Sequence, residues 1–140
     1  MELDTVMTAN PATCKANTPL RQVATMMMEN DCGMIPVVDD AGAPVGVVTD
    51  RDIAVRAVAA GKDVGRCNAG DYMTTPVRSV PMDTSLADVC AAMESAQVRR
   101  MPVVDADGRL CGVVAQADIA LNGNRERTAE VVREVSKPAA

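Results

Sequence analysis

Met34-Ile-Pro-Val-Val-Asp39 and Gly46-Val-Val-Thr-Asp-Arg-Asp52 return 66 residues further on as Arg100-Met-Pro-Val-Val-Asp105 and Gly112-Val-Val-Ala-Gln-Ala-Asp118. Residues 18–54 align without a gap to residues 84–120, with 15 of 37 positions identical, among them Pro36/Pro102, Gly42/Gly108 and Gly46/Gly112. The segments leading into each copy match as well, Val6-Met7-Thr8 against Tyr72-Met73-Thr74, each with a proline soon after. Self-similarity at a fixed offset marks a duplicated supersecondary unit, so one reading serves both copies.

Each copy carries the same succession of signals. Thr18-Pro19 and Thr84-Ser85 read as an N-cap followed by the first helical residue, a position that suits Pro19. Leu20, Val23, Ala24 and Met27, mirrored by Leu86, Val89, Cys90 and Met93, then recur at helical spacing. Apolar strands are expected over 35–39 and 101–105, turns at Gly42 and Gly108, and second strands over 45–48 and 111–114. The short spacing makes each strand pair an antiparallel hairpin. A second helix starts near residue 50 or 116, and a short leading strand falls at 12–16 or 77–81. Each copy is thus β-α-β-β-α.

A lone unit of about 60 residues buries only roughly 60% of its unfolded surface and is marginal. Its strands are apolar on both faces and need cover on both sides. The expected fold is α/β: two tandem β-α-β-β-α repeats related by a pseudo-twofold axis and packed sheet to sheet. The expected divisions are residues 1–60 for the first repeat, 61–71 for a glycine-rich linker, 72–124 for the second repeat and 125–140 for a C-terminal helix or tail.

Apolar residues make up 48% of the 140, yet Tyr72 is the single aromatic, so the core must be aliphatic, with ten methionines to fill irregular gaps. A net charge of −5 without any Lys/Arg run speaks against nucleic acid as a partner. No apolar run approaches the roughly 20 residues of a membrane span, and the first residues, Met-Glu-Leu-Asp, are acidic where a secretory signal is basic. A cytoplasmic chain with no membrane partner is expected. The sequence has no histidine, which removes Ser-His-Asp and Cys-His catalysis and His-ligated zinc. Gly-x-Ser-x-Gly and Walker-type loops are missing too, so the chain reads as no enzyme. Five cysteines, at 14, 32, 67, 90 and 111, form no Cys-x-x-Cys. Cys32, Cys90 and Cys111 sit within apolar patterns, so buried free thiols are expected there, with a disulfide or a redox-sensing role, through Cys14 or Cys67, as the alternative.

The Pro-Val-Val-Asp and Gly-Val-Val-x-x-x-Asp stretches, with their Met-Thr leading segments, resemble a CBS domain present twice: a CBS pair, or Bateman module, of the short stand-alone bacterial type. The resemblance covers residues 3–122. It implies two clefts between the repeats, each able to take an adenosine derivative, and pairing of one module with another as a homodimer. In that family a Gly-h-x-[Ser/Thr]-x-x-Asp motif serves the ribose. The carboxylate accepts hydrogen bonds from the 2′ and 3′ hydroxyls, and the hydroxyl residue lies beside the sugar or phosphate.

Carried over residue by residue, the first cleft combines Thr49 and Asp52 with Val80, Val98, Arg100 and Pro102. Arg100 would hold a phosphate, assisted by Arg51. The second cleft combines Asp118 with Cys32, Met34 and Pro36; there Ala115 replaces the hydroxyl residue and Met34 the arginine, so weaker binding is expected.

Plainer roles are open for the same residues. Thr49-x-x-Asp52 ahead of an apolar helical run is also a capping box. Gly46 and Gly112 would permit a close sheet contact, and Pro36 and Pro102 would mark strand starts. Arg99-Arg100 is a solvated pair on this view. Met26 and Met28 flank the core stripe and are partly exposed or face a partner, and the helical spacing of Val131, Val132 and Val135 suits packing on its own domain or across a dimer.

The leading functional expectation is a non-catalytic module that senses AMP, ADP or ATP between its repeats, with NAD and S-adenosylmethionine as further adenosine ligands, and that acts on an unidentified regulated protein. The alternative is a stress-related dimerisation and protein-interaction module that needs no nucleotide.

Overall fold

The computed structural model describes residues 3–122 together with Arg133 and Val135. Two compact units emerge. One is Pro11–Val77; the other joins the chain up to Asn10 with the chain from Arg78 onward.

The first unit contains α1 (Leu20–Asn30), the hairpin β2 (Met34–Val38) and β3 (Pro44–Thr49), α2 (Asp52–Val58) and the short α3 (Ala69–Tyr72). The second begins with a 3-10 turn at Leu3–Thr5 and β1 (Thr8–Ala9). It resumes with β4 (Val80–Pro81), α4 (Leu86–Ala96), β5 (Arg100–Val104), β6 (Leu110–Ala115) and α5 (Gln116–Asn122). Both hairpins are antiparallel, and in the second unit the sheet order is β1-β6-β5-β4 with β4 parallel to β5.

The Pro-Val-Val-Asp identity has a local cause. Asp39 Oδ1 accepts the N–H groups of Ala41 and Ala43, and Asp105 Oδ1 those of Asp107 and Arg109, at 2.9–3.0 Å. This aspartate-closed turn is finished by Gly42 and Gly108, whose φ values of 87° and 79° a side chain would strain. A bulge follows at the same place in each hairpin, between Val37 and Val38 and between Val103 and Val104.

Several expected boundaries shift. Pro19 is the extended residue ahead of α1, with ψ 142°, and is not itself helical; Leu20 opens the helix. The Thr18 hydroxyl instead accepts the Lys15 N–H upstream. In α4 the cap is Ser85, which accepts the Asp88 N–H at 3.1 Å. The leading strand expected at 12–16 shrinks to one bridge, Cys14 with Val37. Pro36 and Pro102 lie mid-strand and do not mark strand starts. Pro36 is tolerated there because its carbonyl faces Cys14, accepting that N–H at 3.0 Å, while the next bond on that side comes from Val38 N–H. The missing proline N–H falls beyond the end of this short pairing.

Residues read as a linker, 61–71, are built into the first unit. Ala69 is fully buried and donates its N–H to the Thr18 carbonyl, and a Cβ on Gly70 would stand 3.0 Å from that of Ala16. Gly61 and Gly65 lie in turns, but Gly70 is inside the short helix Ala69–Tyr72. The leading segments are exchanged between the sequence repeats. Leu3 and Val6 bury in the core of Val80, Val89, Cys90, Met93, Met101, Val103, Val114 and Ile119. Tyr72 and Met73 pack on that of Leu20, Val23, Met27, Ile35, Val37, Val48, Ala57 and Ala69. Both cores are aliphatic and sulfur-bearing, as the composition requires.

All five residues of β2 are buried, as a strand apolar on both faces needs to be. Met26 packs partly against the first core while Met28 is 76% exposed. Val135 packs on the second core; Val131, Val132 and the rest of the C-terminal stretch lie outside the described residues. No helix among the described residues is long and apolar enough to cross a membrane.

Candidate ligand-binding site at the start of the second helix of each repeat

Thr49 ends β3, and three residues later Asp52 opens α2, which is wound as a π-helix over Asp52–Val58 and closes with the i→i+5 bonds Ala59 N–H to Ala54 carbonyl and Lys62 N–H to Ala57 carbonyl. Between them Asp50 and Arg51 are exposed, and the Asp50 N–H is fixed on the Gly33 carbonyl at 3.0 Å. The Thr49 N–H donates to Asp52 Oδ2 at 2.9 Å, and the Asp52 N–H donates back to Thr49 Oγ1 at 3.1 Å. The capping box is therefore made in both directions, with Asp52 standing where Glu or Gln is more usual.

Asp52 is the single buried charged residue among the described residues, at 7% exposure. A buried carboxylate needs compensation, and two further groups supply it. The Thr74 hydroxyl donates to both oxygens, at 3.1 Å to Oδ2 and 3.2 Å to Oδ1. Arg56, one helical turn on, brings Nη1 to 3.7 Å from Oδ1 and also donates to the Tyr72 and Met73 carbonyls at 2.7 and 3.3 Å. Sequence reasoning missed both. Arg56 was detectable as an i,i+4 partner of Asp52; Thr74 was not, because only the fold brings it there, through its backbone pairing with Val47.

The second repeat keeps half of this arrangement. Ala115 N–H donates to Asp118 Oδ2 at 2.8 Å, and Gln116 N–H meets the Arg99 carbonyl as Asp50 meets Gly33. Ala115 has no hydroxyl to return the bond, and Asp118 is half-buried where Asp52 is buried. Of the other expected site residues, Val80 and Pro102 are buried, Val98 packs at the edge of the second core, and Arg100 is exposed. Met34 and Pro36 are buried within β2. Cys32 is exposed, against the expectation of a buried thiol, because it follows the left-handed Asp31 that ends α1. The structure thus brings Thr49 and Asp52 together. Arg51 is adjacent in the chain and exposed; Val80, Val98, Arg100 and Pro102 belong to the other unit.

All five cysteines are free. Burial pushes the Cys14 thiol up to about 11 and also raises that of Cys111. The Cys67 Sγ and the Tyr72 hydroxyl are hydrogen-bonded at 3.7 Å, and the phenol is raised first by keeping its proton toward that sulfur, then by burial and by the Cys67 and Asp71 charges.

Two copies of one α/β unit, each with an aspartate in the first turn of its second helix, make up the described part of this chain. The family profile described as CBS domain matches residues 3–58 and 69–122, and the chain belongs to the CBS-domain family. It is 39% identical over 116 residues to the CBS domain-containing protein YhcV of Bacillus subtilis, covering 83% of this chain and 81% of that one. It is 32% identical over 135 residues to Hypoxic response protein 1 of Mycobacterium tuberculosis, covering 96% and 94%. Among solved structures, Hypoxic Response Protein I with two coordinated zinc ions matches with a TM-score of 0.81 at 32% identity, over 89% of this chain and all of that one. The CBS domain pair of protein MJ0100, in complex with 5′-methylthioadenosine and S-adenosyl-L-methionine, matches with a TM-score of 0.77 at 26% identity, over 86% and 98%.

The zinc of that neighbour does not fit what is seen in this chain. There is no histidine, and among the described residues no three His, Cys, Asp or Glu side chains gather to hold a metal ion.

Proposed function

We propose that this chain is a regulatory module that binds an adenosine-containing ligand and performs no catalysis of its own. The observation that carries the reading is the Thr49–Asp52 pair at the head of α2, on the residues where the family motif places its ribose contacts. A carboxylate there can accept from a sugar diol, and a helix start favours a phosphate beside it. The complex of the MJ0100 pair with two adenosine compounds supports the ligand class. Within that class we favour AMP, ADP or ATP, with Arg51 and Arg100 on the phosphates, and a homodimeric module that acts on a separate regulated protein.

A thermal-shift panel of AMP, ADP, ATP, NAD and S-adenosylmethionine against wild type and Asp52→Asn tests the reading. A ligand at 100 times its Kd stabilises the fold by about 2.7 kcal/mol. Stabilisation of the wild type and not of Asp52→Asn is expected; stabilisation by none of the five overturns the reading.

One observation favours a second reading. The Asp52 carboxylate is already engaged by Thr49, Thr74 and Arg56, which is the arrangement of a helix cap with no ligand to receive. On that view the chain is a nucleotide-independent interaction module, in keeping with a relative named for the hypoxic response.

A further inference from the structure

Three groups converge on Asp52, two through hydrogen bonds and Arg56 as an ion pair at 3.7 Å, and they differ in how firmly each is held. The Thr49 N–H belongs to the backbone at the end of β3. The Arg56 guanidinium is tied down by the Tyr72 and Met73 carbonyls. The Thr74 hydroxyl alone is free to turn: its residue is exposed, while its backbone stays paired with Val47 through bonds of 2.7 and 3.2 Å. Its one O–H lies within reach of both oxygens, so it stands across the open edge of the carboxylate that a vicinal diol would need. A carboxylate offers roughly four lone-pair positions. The Thr49 N–H takes one of them, and the Thr74 oxygen, within 3.2 Å of both carboxylate oxygens, stands on the edge along which a diol would bring its two O–H groups.

We propose that Thr74 is an internal stand-in for the ligand: its hydroxyl occupies the Asp52 carboxylate and must leave it when a ribose diol binds. This rests on the adenosine-ligand reading above and adds a residue that sets its affinity. It also gives that reading an answer to the engaged state of Asp52, since the strongest competitor is the one donor that can be displaced without breaking backbone pairing. Thr74 acts here as a positioning and competing residue and makes no contact with the bound ligand.

The test is calorimetric titration of wild type, Thr74→Val, Thr74→Ala and Thr74→Ser with AMP, ATP and S-adenosyl-L-methionine, which share one ribose diol, and with the 2′-deoxy form of AMP. Loss of one charge-assisted hydrogen bond corresponds to about tenfold in affinity. Thr74→Val and Thr74→Ala are expected to bind the diol ligands about tenfold tighter, and Thr74→Ser to bind as wild type does. The gain is expected to shrink for the 2′-deoxy compound, which needs fewer acceptor positions, and a merely structural Thr74 would not produce that difference. Equal or weaker binding by both hydroxyl-free variants, with wild type still binding, overturns the stand-in role alone. Absence of binding by all four proteins overturns both it and the adenosine-ligand reading.

Discussion

Met73 lies so close over Gly46 that a Cβ at residue 46 would stand 2.6 Å from Sδ, and Met7 covers Gly112 in the same way at 2.5 Å. The two glycines, alike in sequence, thus serve the same purpose: each lets a leading segment lie flat on a strand. Behind each thioether is a backbone oxygen, Thr74 O at 3.2 Å from the first position and Thr8 O at 3.0 Å from the second. The sulfur can swing aside; the carbonyl cannot without losing its strand pairing.

Gly46→Ala and Gly112→Ala are therefore expected to destabilise the fold by about 1–3 kcal/mol each, within the range of overpacked cores. The larger loss is expected at Gly112, where the backbone oxygen is nearer. Urea unfolding of both variants checks the order, and the reverse order would count against the carbonyl as the limiting contact.

Ser85→Ala is expected to lose about 1 kcal/mol, because the Ser85 side chain is the acceptor for the Asp88 N–H at the start of α4. Thermal melting reads it. Pro19→Ala is the control: that position makes no side-chain cap bond, so no comparable cap is lost.

Thr49→Ala removes one limb of the capping box and leaves the Asp52 carboxylate in place. A loss of about 0.5–2 kcal/mol is expected. In effect it makes the first repeat resemble the second, where Ala115 already stands at that position. Comparison of its ligand affinity with that of wild type by calorimetry separates the hydroxyl's part in capping from any part in binding.

The Cys14 thiol is pushed from an ordinary value of 9.0 to about 11 by burial, so the folded state keeps a proton that the unfolded chain releases. Stability from this group is complete below pH 9 and is lost as pH rises from 9 through 11. Cys14→Ala is expected to flatten that part of the stability–pH curve. Alkylation of the native protein at pH 8, followed by mass spectrometry, is expected to modify exposed Cys32 well before Cys14 and Cys90.

The repeat, both hairpins and the aspartate turns were legible in the sequence because each rests on local chemistry repeated twice: Asp39 and Asp105 closing their turns, Gly42 and Gly108 finishing them. Helical stripes such as Leu20, Val23 and Met27 were legible for the same reason. The start of α1 was misplaced by one residue because Pro19 suits the residue before a helix as well as the first one inside it. Exposure of Cys32 was hidden because a left-handed Asp31, at φ 49°, turns the chain out of its apolar pattern. At the candidate site, Thr49 and Asp52 were legible as a motif. Thr74 was not, since 22 residues of chain separate it from Asp52 and only tertiary pairing brings them together.

The exchange of leading segments gives the two halves an interleaved order of manufacture. The strand Thr8–Ala9 is made about a hundred residues before Gly112–Val113, with which it pairs, and Leu3 and Val6 likewise precede the core they join. Pro11–Val77, by contrast, carries its whole core in one unbroken stretch. The unit that holds Leu3 and Val6 is thus the one closed by chain from both sides of the other, and severing the chain between residues 10 and 11 would leave Thr8–Ala9 attached only through its pairing with β6.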